Sequence, residues 1–264
     1  MWGFVFKYFQ LNGYRGICID VIIILSLFAI FLGGLVRTYF GFGEALISMQ
    51  LLALIGLETH TAISVVGLAG LFVASLNIFS SYRNIKYNVL LLMLVGSLVG
   101  IPIGIWILRY FNTNMVQMML GGFLIMYGTY SLCKFLFFNN RIRVVLKSNI
   151  WSGITGIVSG ILGSLYNSHG VPVVIYGTLS RWHIKDFRST IQAHFFLTAI
   201  FVVMGQGFGS IWTEQTIPLF LLSLPCLIIS VIIGKYLSKL TSYNHFEKWL
   251  YLFIVILGAL ILIT

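Results

Sequence analysis

An all-α, polytopic integral membrane protein is the fold class this sequence predicts, and three observations carry it. Of its 264 residues, 59% are hydrophobic and only 8% are charged. The mean hydropathy is +1.01, well outside the range of water-soluble globular chains. The apolar residues also fall in long runs, several near the roughly 20 residues that carry a helix across about 30 Å of hydrocarbon. One transmembrane domain, 1–264, accounts for the chain, since no stretch between the runs would fold on its own. Residues 1–20 are aromatic and mixed, without the short apolar core and cleavage site of a signal peptide, and are read as retained.

Long apolar runs predict helices at about 17–36, 59–80, 88–108, 114–138, 150–165, 189–209, 216–235 and 246–263. Two shorter stretches, 43–57 and 170–179, follow Gly-rich or polar residues and are too short to cross comfortably alone. The net charge of +10 would suggest nucleic acid in a soluble protein. Here the basic residues sit in short loops between apolar runs, the pattern that orients membrane helices, so nucleic acid is excluded as a partner and the lipid bilayer takes its place. Cys18, Cys133 and Cys226 are far apart, show no CxxC and no metal-ligand spacing, and read as packing residues.

The distribution of positive charge arbitrates the topology. With all ten segments crossing and the N-terminus outside, the cytoplasmic side collects Arg37, Arg83, Lys86, Lys134, Arg141, Arg143, Lys147, Arg181, Lys185, Arg188, Lys235, Lys239 and Lys248, leaving Lys7, Arg15 and Arg109 outside. With eight crossings the bias nearly vanishes. Ten crossings imply two halves of about five segments, roughly 17–138 and 150–264, inserted with opposite orientation, the second segment of each being short and Gly-interrupted. A shift of 127 residues places Gly43 on Gly170 and Thr59 on Asp186, both candidate N-caps, and a shift of 130 places Gly104 on Gly234 and Asn114 on Asn244. Inverted repeats with paired short segments point to a secondary transporter with a midplane site.

If residues 38–42 enter the membrane extended and a helix starts near Gly43, its first amides are unsatisfied and carry the positive end of the helix dipole. The same holds at YNSHGVPVVIYG, where Pro172 suits a first helical turn and Asn167, Ser168 and His169 precede it. Two such N-termini meeting near the centre form an anion cradle, with Gly41, Gly43, Glu44, Asn167, Ser168, His169 and Gly170 as substrate-binding candidates. A small anion is the expected substrate.

GFGEALISMQLLALIGL, SYRNIKYNVLLLMLVGSLVGIPIGIWIL and NSHGVPVVIYGTLSRWHIKDFRSTIQAHFF together resemble the sulfite exporter TauE/SafE family of membrane permeases, over nearly the whole chain and in both halves. GFGEAL paired with VIYGxLxRWxxxxFRxTxQ is the most specific part and resembles one branch of that family. The resemblance implies a multi-pass permease of the cell membrane, a bacterial inner or plasma membrane, moving sulfur-containing or organic anions such as sulfite or sulfonates with or against protons. Where family members often carry three glycines this chain has Gly43, Glu44 and Ala45, and where they carry NGPP it has Ser168 to Pro172.

Glu44 reads in two ways, as a charge on the positive end of a helix or partner of Arg37, and as a carboxylate that gates or couples transport to protons. Arg37 and His169 share the gating or coupling candidacy, His169 because imidazole titrates near neutrality. Gln192, one to two turns into its helix, would hydrogen-bond either a substrate or a neighbouring helix. Arg181, Lys185 and Arg188 read as topology determinants or as a funnel for anions. His183 and His194 lack acidic neighbours at metal-ligand spacing, so no metal is assigned. There is no GxxxxGK[ST] and no HExxH, which argues against an enzyme and against any cofactor. A membrane assembly or scaffold protein, its buried polar residues serving only as glue between helices, is the alternative class. Loss of Glu44 or Asn167 separates the two by flux or by partner co-purification. The sequence does not specify the coupling ion or the oligomeric state.

Overall fold

A computed structural model describes residues 16–78, 85–112, 148–180, 182 and 184–240, together with isolated helical positions between 115 and 133. Eight helices are described: α1 (Gly16–Phe40), α2 (Glu44–Ile55), α3 (Thr59–Ile78), α4 (Tyr87–Tyr110), α5 (Asn149–Tyr166), α6 (Gly170–Leu179), α7 (Ile184–Phe208) and α8 (Thr216–Leu240). No strand occurs among the described residues.

Val21–Phe40, Thr59–Ile78, Tyr87–Tyr110, Ser189–Phe208 and Thr216–Ser238 are long and apolar enough to span a bilayer. The α5 helix has 18 residues, but its many Gly and Ser residues dilute its hydropathy. Of the runs expected from sequence, 246–263 lies outside the described residues, and only isolated helical positions of 114–138 lie within them. The short segments form helices of 12 and 10 residues, so at 1.5 Å per residue each is about half to two-thirds of the hydrocarbon thickness.

Glycine decides how closely the long helices approach. Along α4 and α5, a Cβ at Gly100 would land on the Ile157 carbonyl oxygen, one at Gly156 on the Met93 carbonyl, and one at Gly160 on that of Ser97. Backbones meet there with no side chain between them, the usual route to van der Waals stabilisation where lipid removes the hydrophobic drive. The α1–α8 seam is built alike from Gly34, Thr38, Ser230 and Gly234. These two seams exchange when α1–α4 are swapped for α5–α8, and so do the other principal helix contacts: α1–α2 with α5–α6, α2–α3 with α6–α7, α1–α3 with α5–α7, and α4–α7 with α8–α3. The α3–α7 contact maps onto itself.

Three expectations are corrected. Residues 38–40 are helical, because α1 continues to Phe40, Gly41 N–H donates to the Arg37 carbonyl (2.7 Å), and the chain turns only at Gly41, whose φ is 86°. Thr59 is the first residue of α3 and Asp186 lies in the first turn of α7, so neither is an N-cap. Thr61 instead donates to Glu58 (3.0 Å), and Asp186 pairs with Lys86 at 3.6 Å, an acidic residue near a helix N-terminus being favoured in either place. Arg37, counted above among basic loop residues, belongs to α1 and is only 4% exposed.

Candidate functional site

The buried charge of the described residues gathers where α1 turns into α2. Gly41 and Gly43 hold φ of 86° and 94°, a region costly for any residue with a Cβ, and between them the chain reverses so that α2 starts at Glu44 beside the last turn of α1. That reversal lets Arg37 Nη1 donate to Glu44 Oε2 at 2.8 Å. Gly70 of α3 leaves room for the pair, since a Cβ there would sit 3.2 Å from Arg37 Nη1 and 3.3 Å from Glu44 Oε2. The guanidinium lies over the Phe195 ring of α7, 5.6 Å from its centroid.

The second half supplies neutral polar groups to the same place. Asn167 ends α5 in the left-handed region, with φ 54°, where asparagine is the residue other than glycine most at ease. Its Nδ2 donates to the Ile63 carbonyl of α3 (2.6 Å). Ser159 donates to the His169 carbonyl (2.7 Å), anchoring the chain just before α6. The His169 ring stands edge-on to Phe195, with centroids 5.2 Å apart.

Two small cavities occupy this junction. One, of about 10 Å³, is lined by Arg37, Glu44, Ala45, Val66, Gly67, Gly70, Asn167, His169, Ala199 and Val202. The other, of about 20 Å³, adds Phe42, Gly43, Leu46, Ser168, Gly170, Val171 and Phe195 to Arg37, Glu44, Ala45, Asn167 and His169. Each has room for about one water molecule. Arg37 Nε and Nη2, Glu44 Oε1 and His169 Nδ1 are buried with no hydrogen-bond partner among the described residues. Unpartnered polar atoms at such depth are costly in a membrane protein.

Of the sequence candidates, Gly43, Glu44, Asn167, Ser168, His169, Gly170 and Arg37 line these cavities. Gly41 and Gln192 pair with each other beside them, Gln192 Nε2 donating to the Gly41 carbonyl (3.1 Å) and so tying the reversal to α7. The side chains of Arg181, Lys185 and Arg188 lie outside the described ones. His194 is fully buried, its Nε2 3.2 Å from both Ser97 and Thr198 hydroxyls. No group of three metal-ligating side chains occurs among the described residues. Sequence reasoning passed over Gly67, Gly70, Phe195 and Gln206. Only Gln206 left a signal, a glutamine deep in an apolar run.

Half-length helices meet here at a buried ion pair inside a multi-pass helical bundle, an arrangement that recurs in membrane transport proteins. The chain matches the family model Sulfite exporter TauE/SafE over residues 26–261. It belongs to that family, whose members are membrane transporters and not enzymes. No curated protein and no solved structure matches it.

Proposed function

We propose that this protein is a secondary active permease for small anions, sulfur-containing or organic ones such as sulfite or sulfonates, and that it couples their movement to protons. The anion binds against Arg37 where α2 and α6 begin, and Glu44 carries the proton. The single observation behind this reading is the buried Arg37–Glu44 pair with two guanidinium nitrogens left unbonded at the cavity. A guanidinium with two free donors suits an oxyanion, which accepts parallel hydrogen bonds from it.

Charge balance supplies the coupling. At rest the pair is neutral; an arriving anion takes the guanidinium and leaves the Glu44 carboxylate as an extra buried charge. Like charges in contact at low effective dielectric repel by several kcal/mol. A proton on Glu44 removes that conflict, so anion and proton bind together and affinity rises as pH falls. The cavities hold about one water each, so admitting an anion requires the walls to move. We assign the movement to two inverted repeats, about 17–138 and 150–264, rocking against each other within one domain. The exchange of helix contacts between the halves supports this arrangement.

Glu44→Gln tests the reading, since it mimics the protonated carboxyl while still accepting from Arg37. In proteoliposomes the variant is expected to bind sulfite, to lose all pH dependence of binding beyond that of the anion's own protonation, and to equilibrate the anion without accumulating it against a proton gradient. Wild-type pH dependence and accumulation in this variant would remove Glu44 from the coupling role and pass it to His169.

A further inference from the structure

We propose that Gln206 is a specificity-determining residue of this site, accepting a hydrogen bond from the transported anion and selecting small oxyanions that still carry an O–H. The inference rests on the anion-binding reading above and goes further by naming the ligand's protonation state and the residue that senses it.

The argument begins with which end of each amide faces where. Asn167 Nδ2 lies 2.6 Å from the Ile63 carbonyl oxygen, which only accepts, so the NH₂ end must point there. The Asn167 oxygen therefore faces Gln206, and Gln206 must offer its own NH₂, donating to Asn167 Oδ1 (3.2 Å) and to the Ser164 carbonyl (3.3 Å). Three carbonyl-type acceptors thus fix both side chains in one orientation. What remains is Gln206 Oε1, on a residue with no exposed surface and with no partner among the described residues.

That oxygen lies directly behind Gly67, just outside the cavity lining. A Cβ built on Gly67 would stand 2.7 Å from Gln206 Oε1 and 2.9 Å from Asn167 Oδ1, so the missing side chain of Gly67 is what lets these two oxygens come up to the helix beside the cavity. Gly67 and Asn167 both line the cavity that holds Arg37 and Glu44. One turn along the same helix, Gly70 faces Arg37 Nη1 and Glu44 Oε2. Three residues of helix rise about 4.5 Å, roughly the breadth of a small oxyanion. A ligand admitted along the Gly67–Gly70 side of α3 as the walls move would meet unsatisfied donors at the Arg37 end and, next to Gly67, the unsatisfied Gln206 acceptor. It must accept hydrogen bonds on one side and donate one on the other. A fully ionised oxyanion has nothing to donate and would leave Gln206 Oε1 unpaired, while a hydrogen oxyanion satisfies both ends. Sites that hydrogen-bond a ligand's hydroxyl discriminate strongly against analogues lacking it, because the buried partner is left bare.

Hydrogensulfite and chlorate separate the possibilities, being monoanions of similar size and pyramidal shape of which only the first carries a proton. Purified full-length protein at mildly acidic pH is titrated with each anion separately, reading thermal stabilisation. The expected result is half-saturation by hydrogensulfite at a concentration at least about tenfold below that of chlorate, the size of effect for one unmade buried hydrogen bond. Gln206→Met keeps the length and removes the acceptor, and should bring the ratio close to one. Equal affinities in the wild-type protein, which needs no variant to fold, would overturn the Gln206 assignment while leaving the anion site standing. A tenfold preference kept by Gln206→Met would do the same. Stabilisation by neither anion would instead bring down the anion site and this inference with it.

Discussion

Removing Arg37 and Glu44 singly and together measures whether the buried pair is a charge interaction or merely two side chains in contact. Both are nearly inaccessible, with side-chain exposures of 5% and 3%, and they meet at 2.8 Å. Two unit charges about 4 Å apart at an effective dielectric of about 20 attract by roughly 4 kcal/mol, in line with the 3–5 kcal/mol, approximately, lost when one partner of a buried pair is removed. Arg37→Met, of similar reach and without charge, is therefore expected to cost about 3–5 kcal/mol, since it strands the carboxylate. Glu44→Gln keeps an acceptor for Nη1 and should cost less, about 1–3 kcal/mol. The double variant strands no charge, though its new amide loses the guanidinium as a partner, and it should fall within about 1–3 kcal/mol of wild type.

Denaturant unfolding of purified protein in mixed micelles provides the four stabilities, and proteoliposome flux is read alongside. The singles should sum to about 4 kcal/mol more than the double. The double variant should be transport-silent despite its recovered stability, because its anion ligand is gone. Additivity within about 0.5 kcal/mol would refute the argument from buried charge, and with it the reason for placing the coupling proton on Glu44. Anion flux in the double variant would refute Arg37 as the ligand.

Gly67→Ala puts a methyl carbon 2.7 Å from Gln206 Oε1 and 2.9 Å from Asn167 Oδ1, so it should abolish stabilisation by sulfite while the helical circular dichroism stays that of wild type; Gly70→Ala, whose new contacts are 3.2 and 3.3 Å, should weaken it less. Single cysteines replacing Lys147 or Lys185 should resist membrane-impermeant reagents in intact cells, and labelling at either position would overturn the inverted-repeat topology.

Most of the framework was legible because a bilayer limits what an apolar run can become. Runs that long must be helices, and the five spanning helices fall within a few residues of their expected positions. Helix ends were harder to place, since a backbone hydrogen bond or a glycine settles them: α1 outlasts its expected end by four residues, from 36 to 40, before turning at Gly41. Glu44 and His169 were visible as polar residues where polarity is expensive. Gly67 and Gly70 were not, because in a membrane helix glycine is common and only the facing side chains reveal that these two clear space for a site. Arg37 was misplaced for a related reason. Charge counting treats every arginine near the end of an apolar run as a loop residue, whereas the pairing with Glu44 that the sequence offered as one reading is what the reversal at Gly41 to Gly43 brings about.

The two halves repeat their framework but not their chemistry. A shift of 127 residues carries Gly43 onto Gly170, each just before or at the start of a short helix, yet it carries Glu44 onto Val171 and Arg37 onto Ser164. All the charge lining the cavities comes from the first half, and the second contributes Asn167 and His169, with Gln206 behind them holding Asn167 through a neutral hydrogen bond. Duplication alone would have placed two like-charged pairs at one buried point, each adding desolvation cost. With a single pair, one proton suffices to balance one bound monoanion. On the proposed mechanism, the unrepeated carboxylate would set a stoichiometry of one proton per anion, and the rocking of the two halves would open that one site to either side of the membrane in turn.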